Sequence, residues 1–224
     1  METAPAALLF AEGLHYFADS RNRSLFEIFP TFRWVFPQAP LSVPSGFPND
    51  RMHQWFDVWN IRDFSEQEDL QSPGLKKSVD SPGGATSIHT LLNLKASSMR
   101  TGTPDGGEAA EAGRIRPSLG AVIGISCRLP FPRPTLAETR RTLGAEGDDD
   151  DETEVLRNTP VLLEHCADDR TVLVEAGRAL RDKLVEYGGQ VTWKEYPDGG
   201  HWLNWPAGAD DVVEFLQNVF DLAR

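Results

Sequence analysis

A carboxylate and an imidazole in the last third of the chain, Asp169 and His201, have the types and the order that acyl transfer through a serine requires. An imidazole takes the proton of the attacking hydroxyl, and a carboxylate behind it fixes the tautomer and stabilises the imidazolium that forms. Asp168 and Asp169 follow the apolar run PVLLEHC (160–166), while His201 follows VTWKEYP (191–197) in the Gly-rich segment PDGGHW. With both runs as strands of an open sheet, both side chains lie in loops at the carboxyl ends of the strands, where such sheets assemble their sites. An acid on one loop and a histidine on the next is the later part of the order Ser, Asp, His. Taken alone, Asp169 reads better as a turn or cap residue ahead of Val172, and His201 beside Trp202 reads also as a surface-loop histidine. Their pairing gives the catalytic reading its weight. A metal site from His165, Cys166, Asp168 and Asp169 is not expected, because adjacent ligands on one strand point to opposite faces, and no cofactor is expected.

Four strands must position these groups. SLGAVIGIS (118–126) is almost entirely apolar and β-branched, as a strand covered on both faces of a parallel sheet should be, and PVLLEHC repeats that character. VTWKEYP is a more polar strand closed by Pro197, and RWVFPQAP (33–40) is a short strand stopped by proline. Between the last two strands, Val172, Ala176, Ala179, Leu180 and Leu184 share one face of a helix that ends at Gly188 and Gly189. A final helix places Val212, Leu216, Val219, Phe220 and Ala223 on one stripe, with Asp210 and Asp211 at its positive end. The alternation predicts an α/β fold, a mostly parallel sheet flanked by helices.

Residues 1–224 are enough for one sizeable core and read as a single domain, with mobile loops expected at 95–116 and 145–156. The second of these holds the run GDDDDETE, a solvated charge cluster without the ligand spacing of a calcium loop. With 34 acidic against 22 basic residues the formal charge is -12, which argues against a nucleic-acid partner. The chain has no apolar run of about 18 residues, and its opening METAPAALLFAEG lacks the pattern of a secretory signal, so a cytoplasmic protein without an integral membrane segment is expected. Cys127 and Cys166 read as two buried free thiols.

WVFPQAP, QWFDVW (54–59), GGATSIHTLL (83–92), LGAVIGISCRLPF (119–131), PVLLEHCADDRTV and YPDGGHW, in that order, resemble the phospholipase/carboxylesterase family that includes acyl-protein thioesterases. Each motif is weak alone; six in order, from about residue 25 to the C-terminus, make the resemblance specific. It implies an α/β-hydrolase fold and hydrolysis of carboxylic esters or thioesters, of the depalmitoylation or lysophospholipid type, on a lipidated protein or a small acyl ester. The acid-loop pattern HGxxDxxV falls on Asp169, with Cys166 where the family has glycine. The aromatic group Trp55, Phe56 and Trp59 resembles a segment near the acyl site; it either lines an apolar channel or clamps a loop to the core.

The family's nucleophile stands in GxSxG, on a sharp turn between a buried strand and a helix. VDSPGG puts Ser81 at that position, but Val79 replaces the first glycine and Pro82 follows the serine. Proline has no N–H to give to the oxyanion, and losing one such donor costs roughly 2.7 to 4 kcal/mol. SPGLKKSV (72–79) contains no apolar run to serve as the strand. Ser81 reads also as a helix N-cap with Pro82 at the first position of a helix through Ile88, Leu91 and Leu92. At the N-terminus, METAPAALLFAEGLHYFADSRNRSL shows no counterpart of the family's strand and HG loop, and His15 sits in a helix-like stretch. The fold is therefore expected to be an incomplete α/β-hydrolase fold with impaired turnover. The alternatives are a non-catalytic protein that binds acyl chains or a partner, or a truncated product.

Overall fold

A computed structural model describes residues 8–9, 18–32, 34–35, 39–60, 62–80, 87–94, 119–144 and 153–221. The expected loop at 95–116 and most of that at 145–156 lie outside them, as do Ser81, Pro82 and His15.

Three parallel strands carry the C-terminal half: β5 (Val122–Ile125), β6 (Pro160–Cys166) and β7 (Gln190–Tyr196), in the spatial order β5-β6-β7. In register, Val122 faces Val161 and Ile125 faces Glu164, while Pro160 faces Gln190 and Cys166 faces Tyr196. Central β6 is buried from Val161 through Cys166, its polar Glu164 and His165 included, as a strand covered on both faces is. Val161 and Leu163 point into one cluster, with Ile88, Leu91 and Leu92 of α3 (Ser87–Asn93), Val155 and Leu156 of α5 (Glu154–Asn158), and Leu180 and Leu184 of α6 (Val174–Glu186). Leu162 points to the opposite face. There it meets Leu25 of α1 (Leu25–Ile28), Phe29 and Phe32 just beyond it, and Ala209, Val212 and Leu216 of α7 (Ala207–Val219). Each such fully buried side chain stabilises the fold by about 1.5 to 3 kcal/mol. Helices on both faces of a parallel sheet are what the strand and helix alternation predicts.

The buried face of α6 departs from expectation: Val172 lies two residues before the helix and Ala176 is half-buried. Val174, Gly177, Leu180 and Leu184 face inward, while Ala179 is exposed. A Cβ on Gly177 would overlap Nδ1 of His165 and come within 3.0 Å of the Trp193 ring, so the bare glycine lets the helix close onto β6 and β7. In α7, Val212 and Leu216 are buried as expected, joined by Gly208, Ala209 and Val213, while Val219 and Phe220 are half-buried; Ala223 lies outside the described residues.

The N-terminal half corrects the sequence reading. Leu8–Leu9 forms a strand, β1, paired in parallel with β2 (Trp34–Val35), so the opening segment does contain a strand. Its two residues are too few for the periodicity that reveals longer strands. β3 (Leu41–Ser42) and β4 (Met52–His53) make a short antiparallel pair that hydropathy also did not reveal. Ser24 and Glu27 cap α1 reciprocally: the Ser24 hydroxyl accepts the Glu27 N–H and the Glu27 carboxylate accepts the Ser24 N–H, which fixes where this four-residue helix begins.

The residues before Ser81 form a helix, α2 (Gln71–Asp80). Pro73 is tolerated because it stands in the first turn, where no N–H is needed. Gly74 packs on Phe56, whose Cα would lie 2.6 Å from any added Cβ. Ser78 donates to the Trp55 carbonyl at 2.8 Å. α4 (Leu136–Arg141) opens with a second reciprocal cap, Thr135 with Glu138. Both cysteines are free thiols, Cys166 buried and Cys127 half-buried.

Candidate active site

Asp169 lies three residues beyond the end of β6 and His201 five beyond the end of β7. The two strands are in register to their last residues, and the ladder runs one step further, with the Ala167 N–H donating to the Tyr196 carbonyl at 2.7 Å. Both loops therefore leave the sheet at the same edge. Gly199 (φ +130) and Gly200 (φ +67) turn the second loop back, and both angles lie in the region that favours glycine. Gly199 also has to be bare because a Cβ there would stand 2.6 Å from Cys166 Sγ.

The outcome is a hydrogen bond of 2.8 Å between His201 Nδ1 and Asp169 Oδ2. A carboxylate can only accept, so Nδ1 carries the hydrogen and Nε2 is left as the basic nitrogen. The carboxylate side chain is wholly buried, whereas the imidazole is 44% exposed. Asp169 Oδ1 accepts the N–H groups of Thr171 (2.8 Å) and Val172 (3.0 Å). Burial pushes the Asp169 carboxyl up, but the hydrogen bonds from His201, Thr171 and Val172 outweigh it and hold the group below the usual carboxylate range. The site thus keeps an ionised carboxylate, locked by two backbone donors, behind an imidazole that is partly open to solvent.

Two supports escaped the sequence reading. Asp168 Oδ1 accepts the Gly200 N–H at 2.8 Å and ties the acid loop to the histidine loop. Cys166, where the resembled family has glycine, sends its S–H toward the Trp202 carbonyl at 3.7 Å. The adjacent pair of acids and the two glycines before His201 were the available signals, but which bond joins them depends on the β6 and β7 register.

No family model matches the chain. It is 28% identical over 194 residues to acyl-protein thioesterase 1 of Gibberella zeae, covering 81% of this chain and 73% of that protein. It is 26% identical over 180 residues to carboxylesterase SOBER1 of Arabidopsis thaliana, covering 76% and 70%. The crystal structure of acyl-protein thioesterase 2 from Zea mays superposes with a TM-score of 0.60 at 22% identity, over 97% of this chain and 95% of that one. The chain has the α/β-hydrolase fold and is similar in sequence to an acyl-protein thioesterase and a carboxylesterase.

Against that fold, the other sequence-predicted positions divide. Ser81 lies outside the described residues. Ten helical residues precede it where a nucleophile elbow has a strand, and on the side of β5 away from β6 no strand pairs with it among the described residues. Trp55, Phe56 and Trp59 are half-buried; Trp55 and Phe56 lie against Gly74 of α2, and Trp59 lies against Gly46. Phe56 packs on Leu75, Phe131 and Leu143, and the Trp59 Nε1–H donates to Glu66 at 3.1 Å. These contacts clamp the loop to the core. Among the described residues no group of three or more His, Cys, Asp or Glu side chains is placed to hold a metal ion, and no helix is long and apolar enough to cross a membrane.

Proposed function

We propose that the chain is a serine hydrolase of acyl esters or thioesters, carried on a lipidated protein or a small acyl ester, with turnover impaired at its nucleophile. Ser81 is the nucleophile in this reading, His201 the general base and Asp169 the acid that orients it. Ser81 Oγ would bond to the acyl carbon and pass its proton to His201 Nε2, which returns it to the departing thiol or alcohol; water then releases the acid by the reverse route. Trp55, Phe56 and Trp59 are the proposed apolar lining. The observation that carries the reading is the 2.8 Å bond from His201 Nδ1 to a fully buried Asp169 carboxylate, with the rest of the ring toward solvent. The names of the relatives support the same chemistry.

A second reading, binding of acyl chains without turnover, is favoured by the helix that runs into Ser81 in place of a strand. A fluorophosphonate probe and a palmitoyl thioester substrate separate the two. Slow labelling at Ser81 that vanishes in Ser81→Ala and in His201→Ala supports the impaired hydrolase. Fast stoichiometric labelling refutes impairment. No labelling and no hydrolysis, with fatty-acid binding retained in Ser81→Ala, replaces the hydrolase with the binding protein.

A further inference from the structure

Among the strictly buried residues of β6, His165 is out of place. It is 1% exposed, its Nδ1 has no hydrogen-bond partner among the described residues, and its ring lies against Gly177 and, tilted, 6.2 Å from the Trp193 ring. Burying an imidazole with one nitrogen unsatisfied is unfavourable, and accommodating it further requires glycine, a poor helix former, at the fourth residue of α6. An apolar side chain would avoid both costs. The other nitrogen shows what the ring supplies.

His165 Nε2 lies 2.8 Å from the Val172 carbonyl oxygen, which can only accept, so Nε2 carries the hydrogen. The same nitrogen stands 3.3 Å from Asp169 Oδ2, the oxygen that accepts from His201 Nδ1. Val172 in turn gives its N–H to Asp169 Oδ1. The loop from Asp169 to Val172 is thereby closed into a ring: the carboxylate grips the loop's N–H groups, and His165 grips its carbonyl while standing beside the carboxylate. Two imidazoles meet one carboxylate oxygen, one from the core and one from the surface.

We propose that His165 is a positioning residue for the acid and base pair: its Nε2–H holds the Val172 carbonyl, and through that loop it keeps the Asp169 carboxylate in the orientation that meets His201 Nδ1. The proposal rests on the pairing of Asp169 with His201 described above, and it adds a residue that touches neither substrate nor nucleophile. Its donor has to reach from the β6 backbone to Val172, a span that glutamine matches through its terminal amide and asparagine does not.

The test reads the bond itself rather than turnover. The Nδ1 proton of His201, shared with Asp169, should give a downfield NMR signal that exchanges slowly with water. Wild type and His165→Gln are expected to show it; in His165→Leu and His165→Asn it should vanish or exchange at least tenfold faster, in protein whose remaining amide spectrum is native. A wild-type-like signal in a folded His165→Leu overturns the proposal. Should the leucine variant not fold, the amide pair decides: an unchanged signal in His165→Asn, or its loss in His165→Gln, overturns it equally. A wild-type protein without the signal would instead sink the acid and base pair, so the two failures are distinguishable even if the chain hydrolyses nothing.

Discussion

Replacing Glu164 by glutamine should stabilise the protein at alkaline pH and leave it nearly unchanged in mild acid. Glu164 sits in the middle of β6, 2% exposed, under the first turn of α7. Its Oε1 is 3.3 Å from the Tyr196 hydroxyl, and its Oε2 has no partner among the described residues. The Tyr196 hydroxyl donates to Asp211 Oδ2 at 2.6 Å, and Lys194 bonds the other oxygen of Asp211 at 2.8 Å. Burial, and then the Asp211 charge, push the Glu164 carboxyl up to about 8, against the opposing pull of Tyr196 and Lys194. The native state therefore holds a proton that the unfolded chain, with the ordinary value of 4.5, releases earlier.

The sign follows from which state binds the proton. Below pH 4.5 both states carry it and there is no penalty; as pH rises from 4.5 to about 8 the unfolded state alone ionises, and stability falls. At about 1.36 kcal/mol per pH unit, the loss attributable to this group between pH 5 and pH 8.5 is about 4 kcal/mol. That is a large share of the roughly 5 to 15 kcal/mol that holds a typical domain together. Glutamine keeps the shape and cannot ionise. Urea denaturation of wild type and Glu164→Gln at the two pH values gives the difference directly. The variant should gain on wild type by about 4 kcal/mol between them. A change below about 1 kcal/mol would refute the buried, protonated carboxyl.

Three further outcomes follow from the same geometry. Gly177→Ala, which in an exposed helix would gain about 1 kcal/mol, should here cost about 1 to 3 kcal/mol in urea denaturation, because the new methyl meets the His165 and Trp193 rings. Asp168→Ala removes the acceptor of the Gly200 N–H, and hydrogen exchange at that amide should speed up by roughly tenfold while the β6 amides stay protected. Asp169 is held below its ordinary value of 3.8, so it contributes stability above that pH that is lost as pH falls through its native value; Asp169→Asn should show a shallower loss of stability in that acid range.

What the sequence revealed and what it hid divide by length and by partner. β6 and β7 were legible because seven-residue runs bounded by proline or polar turns carry a signal of their own, and the loops after them followed. β1 was missed because two residues carry no period, and its identity comes from pairing with β2, 26 residues away. The helix before Ser81 was legible only in the negative, as a segment with too few apolar residues for a strand. Ala179 was assigned to the buried face by periodicity, which counts side chains and overlooks a glycine; it took the ring of His165 to make Gly177 the closest approach. Asp168 carries no sequence signal of its own, because its acceptor role needs Gly200 to be folded back over the end of β6.

The pair Asp169 and His201 is held by two neighbouring strands alone. Asp169 and His201 are brought together by the β6 and β7 register, by the Ala167 bond that extends it, by the Asp168 bridge to Gly200, and by glycines whose angles turn the loop back. Nothing in that set draws on β1, on α2 or on Ser81. An acid and base pair built so locally tolerates damage elsewhere in the sheet, so its presence measures ancestry better than activity. A nucleophile has no such local support: its hydroxyl must be delivered by a strand on the far side of β5, and the residues leading to Ser81 are helical. In the hydrolase reading proposed above, activity depends on whether Ser81 can reach His201 Nε2, which is why the decisive measurement for that proposal is chemical labelling of Ser81 rather than any property of the pair.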